Sequence, residues 1–114
     1  MKTYLLCLVI VGLLTGSSMA EPKSAQELFQ ANCQACHGVQ GKGDGPAAAV
    51  LQVRPRNLTQ RPYRFGCGPG AVASTIKSGI AESGMPSFKD TLTDQEVWTL
   101  ANYVRSLQGG CCKD

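Results

Sequence analysis

Apolar residues recur at helical spacing in three stretches of this chain, and no stretch alternates convincingly as a strand does. The first follows Ser24-Ala25-Gln26-Glu27, a capping box with a hydroxyl N-cap and a carboxylate three residues on. It predicts a helix with Leu28, Phe29 and Ala31 as apolar positions, running into Cys33. The second covers 71–78, with Val72 and Ile76 at i,i+4 and Gly79 as the stop. The third follows a second capping box, Thr93-Asp94-Gln95-Glu96. It places Val97, Leu100, Ala101, Val104 and Leu107 on one face and ends at Gly109-Gly110. Residues 47–51 suit a helical turn or two. The glycine-rich 38–46, the Pro/Gly/Arg-rich 54–70 and the 84–88 segment read as loops. The expected fold class is all-α, a few short helices joined by loops. Loops of such length are unusual in a compact domain unless something else fills its middle.

The 114 residues suit one small domain, and the first twenty of them read as a targeting segment. Lys2 starts it, an apolar run covers 5–14, and Ser18-Met19-Ala20 fits a small-x-small cleavage site before Glu21. That run is shorter than the ~20 residues that span a bilayer, which favours a cleaved signal over the alternative reading, an uncleaved membrane anchor. The division is a signal peptide over 1–20 and a domain over 21–114, exported to the periplasm. A domain of this size is marginal by itself and leans on a disulfide, metal or cofactor. The net charge of +3 is too mild for a nucleic-acid binder, and 43% hydrophobic residues argue against disorder.

Cys33-Gln34-Ala35-Cys36-His37 changes the picture. This spacing reads as attachment of a c-type haem, one thioether from each cysteine and an iron ligand from the adjacent histidine. A thioredoxin-like redox pair would want an α/β context, and half a zinc site would want further ligands. His37 is the single histidine of the chain. Of three methionines, Met1 is the initiator and Met19 lies in the targeting segment. Met85, in Gly84-Met85-Pro86, is left as the candidate second iron ligand, against the alternative of a core-filling methionine.

With these motifs the chain resembles the class I c-type cytochromes of bacterial periplasmic type. The likeness runs from the Leu28-Phe29 helix through Cys33 to Gly38, Gly43-Asp44-Gly45-Pro46, Gly79-Ile80 and Gly84 to Phe88, to the helix with Trp98 and Tyr103. It implies the cytochrome c fold, helices wrapped around one covalently bound haem c with its iron between His37 and Met85. It also implies that the first and last helices cross, packing Phe29 near Trp98 or Tyr103, and that the Pro46 carbonyl accepts the proton on His37's other ring nitrogen. The run Pro55-Arg56-Asn57-Leu58-Thr59 to Tyr63-Arg64-Phe65 is similar to cytochrome subunits of larger periplasmic oxidoreductases.

No acidic residue occurs between Asp44 and Glu82, a span that holds Arg54, Arg56, Arg61, Arg64 and Lys77. It is a solvated basic loop, or a source of propionate partners with Arg56 the first choice, or a docking surface for an acidic redox partner. Three cysteines remain outside the haem motif and the targeting segment: Cys67, Cys111 and Cys112. They allow a bond from Cys67 to the tail, a vicinal Cys111–Cys112 bond, or a disulfide-linked dimer through the tail. The leading function is transfer of single electrons to or from a terminal oxidase, reductase or dehydrogenase, with no catalytic residue. The alternatives are an enzyme or gas sensor with an open iron, and a thiol-redox module.

Overall fold

The computed structural model describes residues 12, 16–17 and 19–109. Most of the expected targeting segment, the tail cysteines Cys111 and Cys112, and Gly110 lie outside the described residues. None of the described helices is long and apolar enough to cross a membrane.

The described residues form four α-helices: α1 (Ala25–Asn32), α2 (Gln34–His37), α3 (Pro69–Ser78) and α4 (Asp94–Ser106). Two 3-10 turns, Pro46–Val50 and Ala81–Ser83, join them. Among the described residues there is no strand, only one isolated antiparallel bridge between Ile80 and Met85. Both capping boxes form as their sequence implies. The Ser24 and Thr93 hydroxyls accept from the backbone N–H of Glu27 and Glu96, whose carboxylates return to the cap N–H. Helix α3 starts two residues before the expected Ala71, because Pro69 takes its first turn. Its fixed φ and missing N–H cost nothing there. Gly79 ends it with φ +67°, as expected of a C-terminal glycine. Helix α4 stops at Ser106, short of the expected Gly109-Gly110, and the chain leaves through a turn to Gly109.

The core lies where α1 and α3 pack on α4. Leu28, Val97, Leu100 and Ala101 are wholly buried, with Phe29, Val72, Ala73, Ile76, Leu92 and Val104 around them. Phe29 meets Tyr103 at a ring-centroid distance of 5.3 Å and a tilt of 57°, a favourable aromatic geometry. Trp98, the other partner expected for Phe29, is instead 47% exposed. It lies one residue after Val97 on the helix, and side chains one apart do not share a face. The core is one-sided. Between Gln34 and Gly66 the chain adds only Leu58 and Tyr63, both partly buried, to its margin.

The last turns of α4 hold the 58–67 loop. The Tyr63 hydroxyl lies 2.7 Å from the Leu58 carbonyl and 3.0 Å from that of Val104, and shares its one proton between them. Arg105 Nε donates to the Cys67 carbonyl at 2.8 Å, and the Gln108 amide donates to the Gln60 carbonyl. Cys67 is buried and disulfide-bonded, and its partner lies outside the described residues. Burial pushes the Tyr63 phenol up to about 12 against the opposing pull of Arg56 and Arg105. A phenol that ionises near 10 when unfolded and near 12 when folded stabilises the fold fully below the lower value. That contribution is lost as pH rises through the interval. Tyr63→Phe is expected to cost about 1 kcal/mol at neutral pH. In denaturant titrations across pH 9 to 12, wild-type stability is expected to fall more steeply than that of Tyr63→Phe.

Candidate haem-binding site

Helix α1 ends at Cys33, whose N–H still donates to the Phe29 carbonyl, and the chain turns at once into α2. One turn of backbone therefore carries Cys33, Cys36 and His37. Both thiols are free and half-buried. Burial first, and Cys36 second, push the Cys33 thiol up to about 11. A thioredoxin-like nucleophile needs the opposite shift, so the redox-pair alternative loses its support. Nor do the described residues gather three His, Cys, Asp or Glu side chains of the kind a zinc site needs.

His37 is oriented by a backbone atom nineteen residues away. Its Nδ1 lies 3.1 Å from the carbonyl oxygen of Arg56. A carbonyl only accepts, so Nδ1 carries the proton and Nε2 is left with its lone pair. Burial lowers the imidazole's pKa below its ordinary value, with the Arg56 carbonyl opposing, which favours the neutral ring. A neutral imidazole with its second nitrogen tied to a carbonyl is the arrangement a metal-ligating histidine requires. The acceptor expected at Pro46 is thus supplied by Arg56. Pro46 instead opens an exposed 3-10 turn, and the preceding Gly45 N–H bonds the Cys36 carbonyl at 3.1 Å.

Glycine makes this approach possible. The 38–45 loop folds back on α2, with the Gly43 N–H donating to the His37 carbonyl at 2.7 Å. Gly43 has φ +80°, and a Cβ there would strike the Pro55 carbonyl and stand 3.4 Å from the Arg56 carbonyl carbon. At Gly45 a Cβ would come within 2.6 Å of the Gln34 carbonyl oxygen. The returning strand of loop is locked by the Leu58 N–H, which donates to the Gly41 carbonyl at 2.7 Å. Asn57 locks it again, its side-chain oxygen accepting from both the backbone and the hydroxyl of Thr59. The Asn57-Leu58-Thr59 triplet is the sequence signal for this turn.

Met85 is held in the loop that follows α3. Its carbonyl accepts from the Ile80 N–H at 3.0 Å, and the Phe88 N–H reaches the Ile76 carbonyl at 3.2 Å. A Cβ at Gly79 would stand 2.6 Å from the Pro86 carbonyl carbon, so the end of α3 presses directly on the Met85 loop. His37 follows α1 and Met85 follows α3, two helices that both pack on α4. Of the loop arginines, Arg56 donates Nη2 to the Pro62 carbonyl at 2.5 Å. Arg64 lies 3.8 Å from Glu82 with its guanidinium over the Phe65 ring. The donor set fits a c-type haem: two free thiols, an imidazole Nε2 and a thioether, with glycines where the backbone must come close.

Residues 20–104 match the family model described as cytochrome C oxidase, cbb3-type, subunit III. The chain belongs to this family of c-type cytochrome domains. This cytochrome domain is 35% identical over 85 residues to the cbb3-type cytochrome c oxidase subunit FixP of Bradyrhizobium diazoefficiens, covering 75% of the chain and 27% of FixP. It spans between a quarter and a third of the length of such curated relatives. Among solved structures, the Kuenenia stuttgartiensis reducing HAO-like protein complex Kustc0457/Kustc0458 matches with a TM-score of 0.68 at 33% identity. That match covers 73% of this chain and 41% of that one. The KustC0563 c-type cytochrome matches with a TM-score of 0.62 at 24% identity, covering 75% of this chain and 99% of that one. The cytochrome domain is therefore an all-α c-type fold.

Two glycine substitutions separate the site from the scaffold. Gly43→Ala is expected to cost about 2 kcal/mol or more, because both its φ and its neighbours exclude a side chain. Gly70→Ala, inside α3 with open space around it, is expected to gain about 0.5 kcal/mol. Denaturant midpoints of the two variants check both signs.

Proposed function

We propose that this cytochrome domain carries single electrons on one haem c, held by thioethers from Cys33 and Cys36 and ligated by His37 and Met85. The observation that carries the reading is the His37 ring. Its Nδ1 proton is committed to the Arg56 carbonyl, so Nε2 is presented as a ligand from the same turn that carries two free thiols. A haem held there by these residues would supply an iron able to take up and give up single electrons, and ligation by a thioether and an imidazole would raise its reduction potential. The chain's own part is to hold both ligands so that little moves when the charge changes. His37 is fixed through Arg56, and Met85 through its bonds to Ile80 and the pressure of Gly79.

The domain works in the periplasm, as a soluble shuttle or as the cytochrome subunit of a larger oxidoreductase. The disulfide at Cys67 supports an oxidising compartment, and the relatives named as subunits of cbb3-type oxidases support the second form. A terminal oxidase, reductase or dehydrogenase is the partner class this implies.

The test is the absorption spectrum of protein matured with haem, oxidised and reduced, for wild type and Met85→Ala, each with and without carbon monoxide. The expected wild type is low-spin, inert to carbon monoxide, and shows the weak methionine–iron band that Met85→Ala abolishes. The variant is expected to bind carbon monoxide readily. Ready binding by the wild type would overturn the Met85 assignment, and absence of covalent haem would overturn the whole reading.

A further inference from the structure

We infer that the Arg56 side chain is a positioning device for His37, acting as a brace on the carbonyl that holds the imidazole. The inference rests on the proposed haem binding and deepens it. The residue is used at both ends. Its carbonyl takes the His37 Nδ1 proton at 3.1 Å, while its guanidinium donates to the Pro62 carbonyl at 2.5 Å, six residues on. A charge-assisted bond of this kind is stronger and more directional than a neutral one. It closes the 56–62 segment on the residue whose carbonyl direction matters. Direction depends on the torsion of the bond after the α-carbon, which nothing in an arginine backbone fixes. Gly43 limits the Pro55–Arg56 backbone from one side, the Asn57 turn begins immediately after, and the guanidinium ties the far end. Arg56 is exposed, so burial does not drive the tie. The accepting Pro62 carbonyl leads directly into Tyr63, which is itself pinned to α4. The brace therefore links His37 to the end of α4.

The consequence is electronic. The stronger the bond from Nδ1–H to the carbonyl, the more basic the ring at Nε2 and the better the oxidised metal is stabilised. Loosening the brace makes His37 a poorer donor and raises the reduction potential. Loss of a positive charge by itself has the opposite sign, since it favours the oxidised state. The two effects are also separable by salt, which screens an exposed charge but leaves a hydrogen bond intact.

The experiment uses the haem-loaded protein as wild type, Arg56→Ala and Arg56→Lys, both variants keeping the backbone carbonyl. Reduction potentials are measured at high salt by voltammetry, and exchange of the His37 Nδ1 proton is followed by NMR in the reduced state. The expected result is a positive shift of potential in both variants. Nδ1–H exchange is expected to be about tenfold faster, the scale of one lost hydrogen bond. Exchange unchanged from wild type in both variants would overturn the brace. So would a negative shift in Arg56→Ala with Arg56→Lys like wild type, which would assign Arg56 the role of a charge, such as a propionate partner. Because wild-type loading and its spectrum are read first, failure of the haem reading is distinguishable from failure of the brace.

Discussion

One hydrogen bond organises the haem-binding half of this molecule: the proton on His37 Nδ1 held by the carbonyl of Arg56. A single acceptor fixes the tautomer, leaves Nε2 with its lone pair, and limits rotation of the ring. It also joins two segments that share no helix. Much of the loop architecture between Gly38 and Thr59 exists to bring that carbonyl to that nitrogen. Gly43 and Gly45 let the backbones come together, the Leu58–Gly41 bond sets the register, and the Asn57 side chain turns the chain away afterwards.

The helical half has a different logic. Helices α1, α3 and α4 bury a compact apolar cluster that any three-helix arrangement would recognise, with the Phe29–Tyr103 pair at its edge. This half packs through apolar contacts among its own helices. It presents the two ends that matter, the C-terminus of α1 running into Cys33 and the C-terminus of α3 running into the Met85 loop. Both face their loops from a common support in α4. The same helix then reaches the 58–67 segment through Tyr63 and Arg105, so that one element supports α1, α3 and the loop that follows Arg56.

What could be read from the residues divides along the same line. The capping boxes, the apolar periodicity and the glycine at the end of α3 are local signals, and the helices they announce form within a few residues of the expected limits. The Cys33–His37 motif is equally local, since its chemistry is written in side-chain type and spacing. The hydrogen-bond acceptor for His37 is not legible in that way. A backbone carbonyl has no residue identity, and proximity in the chain favours Pro46, ten residues nearer than Arg56. Only the tertiary fold, with Gly43 against Pro55, decides between them. The choice of Tyr103 over Trp98 is likewise a question of helix phase that two aromatics on one helix leave open.

The use of an arginine at this position has a physical meaning of its own. A proline would restrict the backbone through its ring, and Pro55 does so one residue too early to aim the Arg56 carbonyl. The chain secures the same outcome from outside: a glycine that allows close approach, an Asn57 turn that fixes the next residues, and a guanidinium that returns to Pro62. Rigidity built from hydrogen bonds differs from rigidity built into a ring, because each bond is adjustable through its partners. The environment of Pro62, Tyr63 and the end of α4 is thereby connected to the basicity of His37 Nε2, the nitrogen proposed as the iron ligand. The His37 ring is in this sense supported by a network that begins at the far helix, and its electronic character is a property of the loop as a whole.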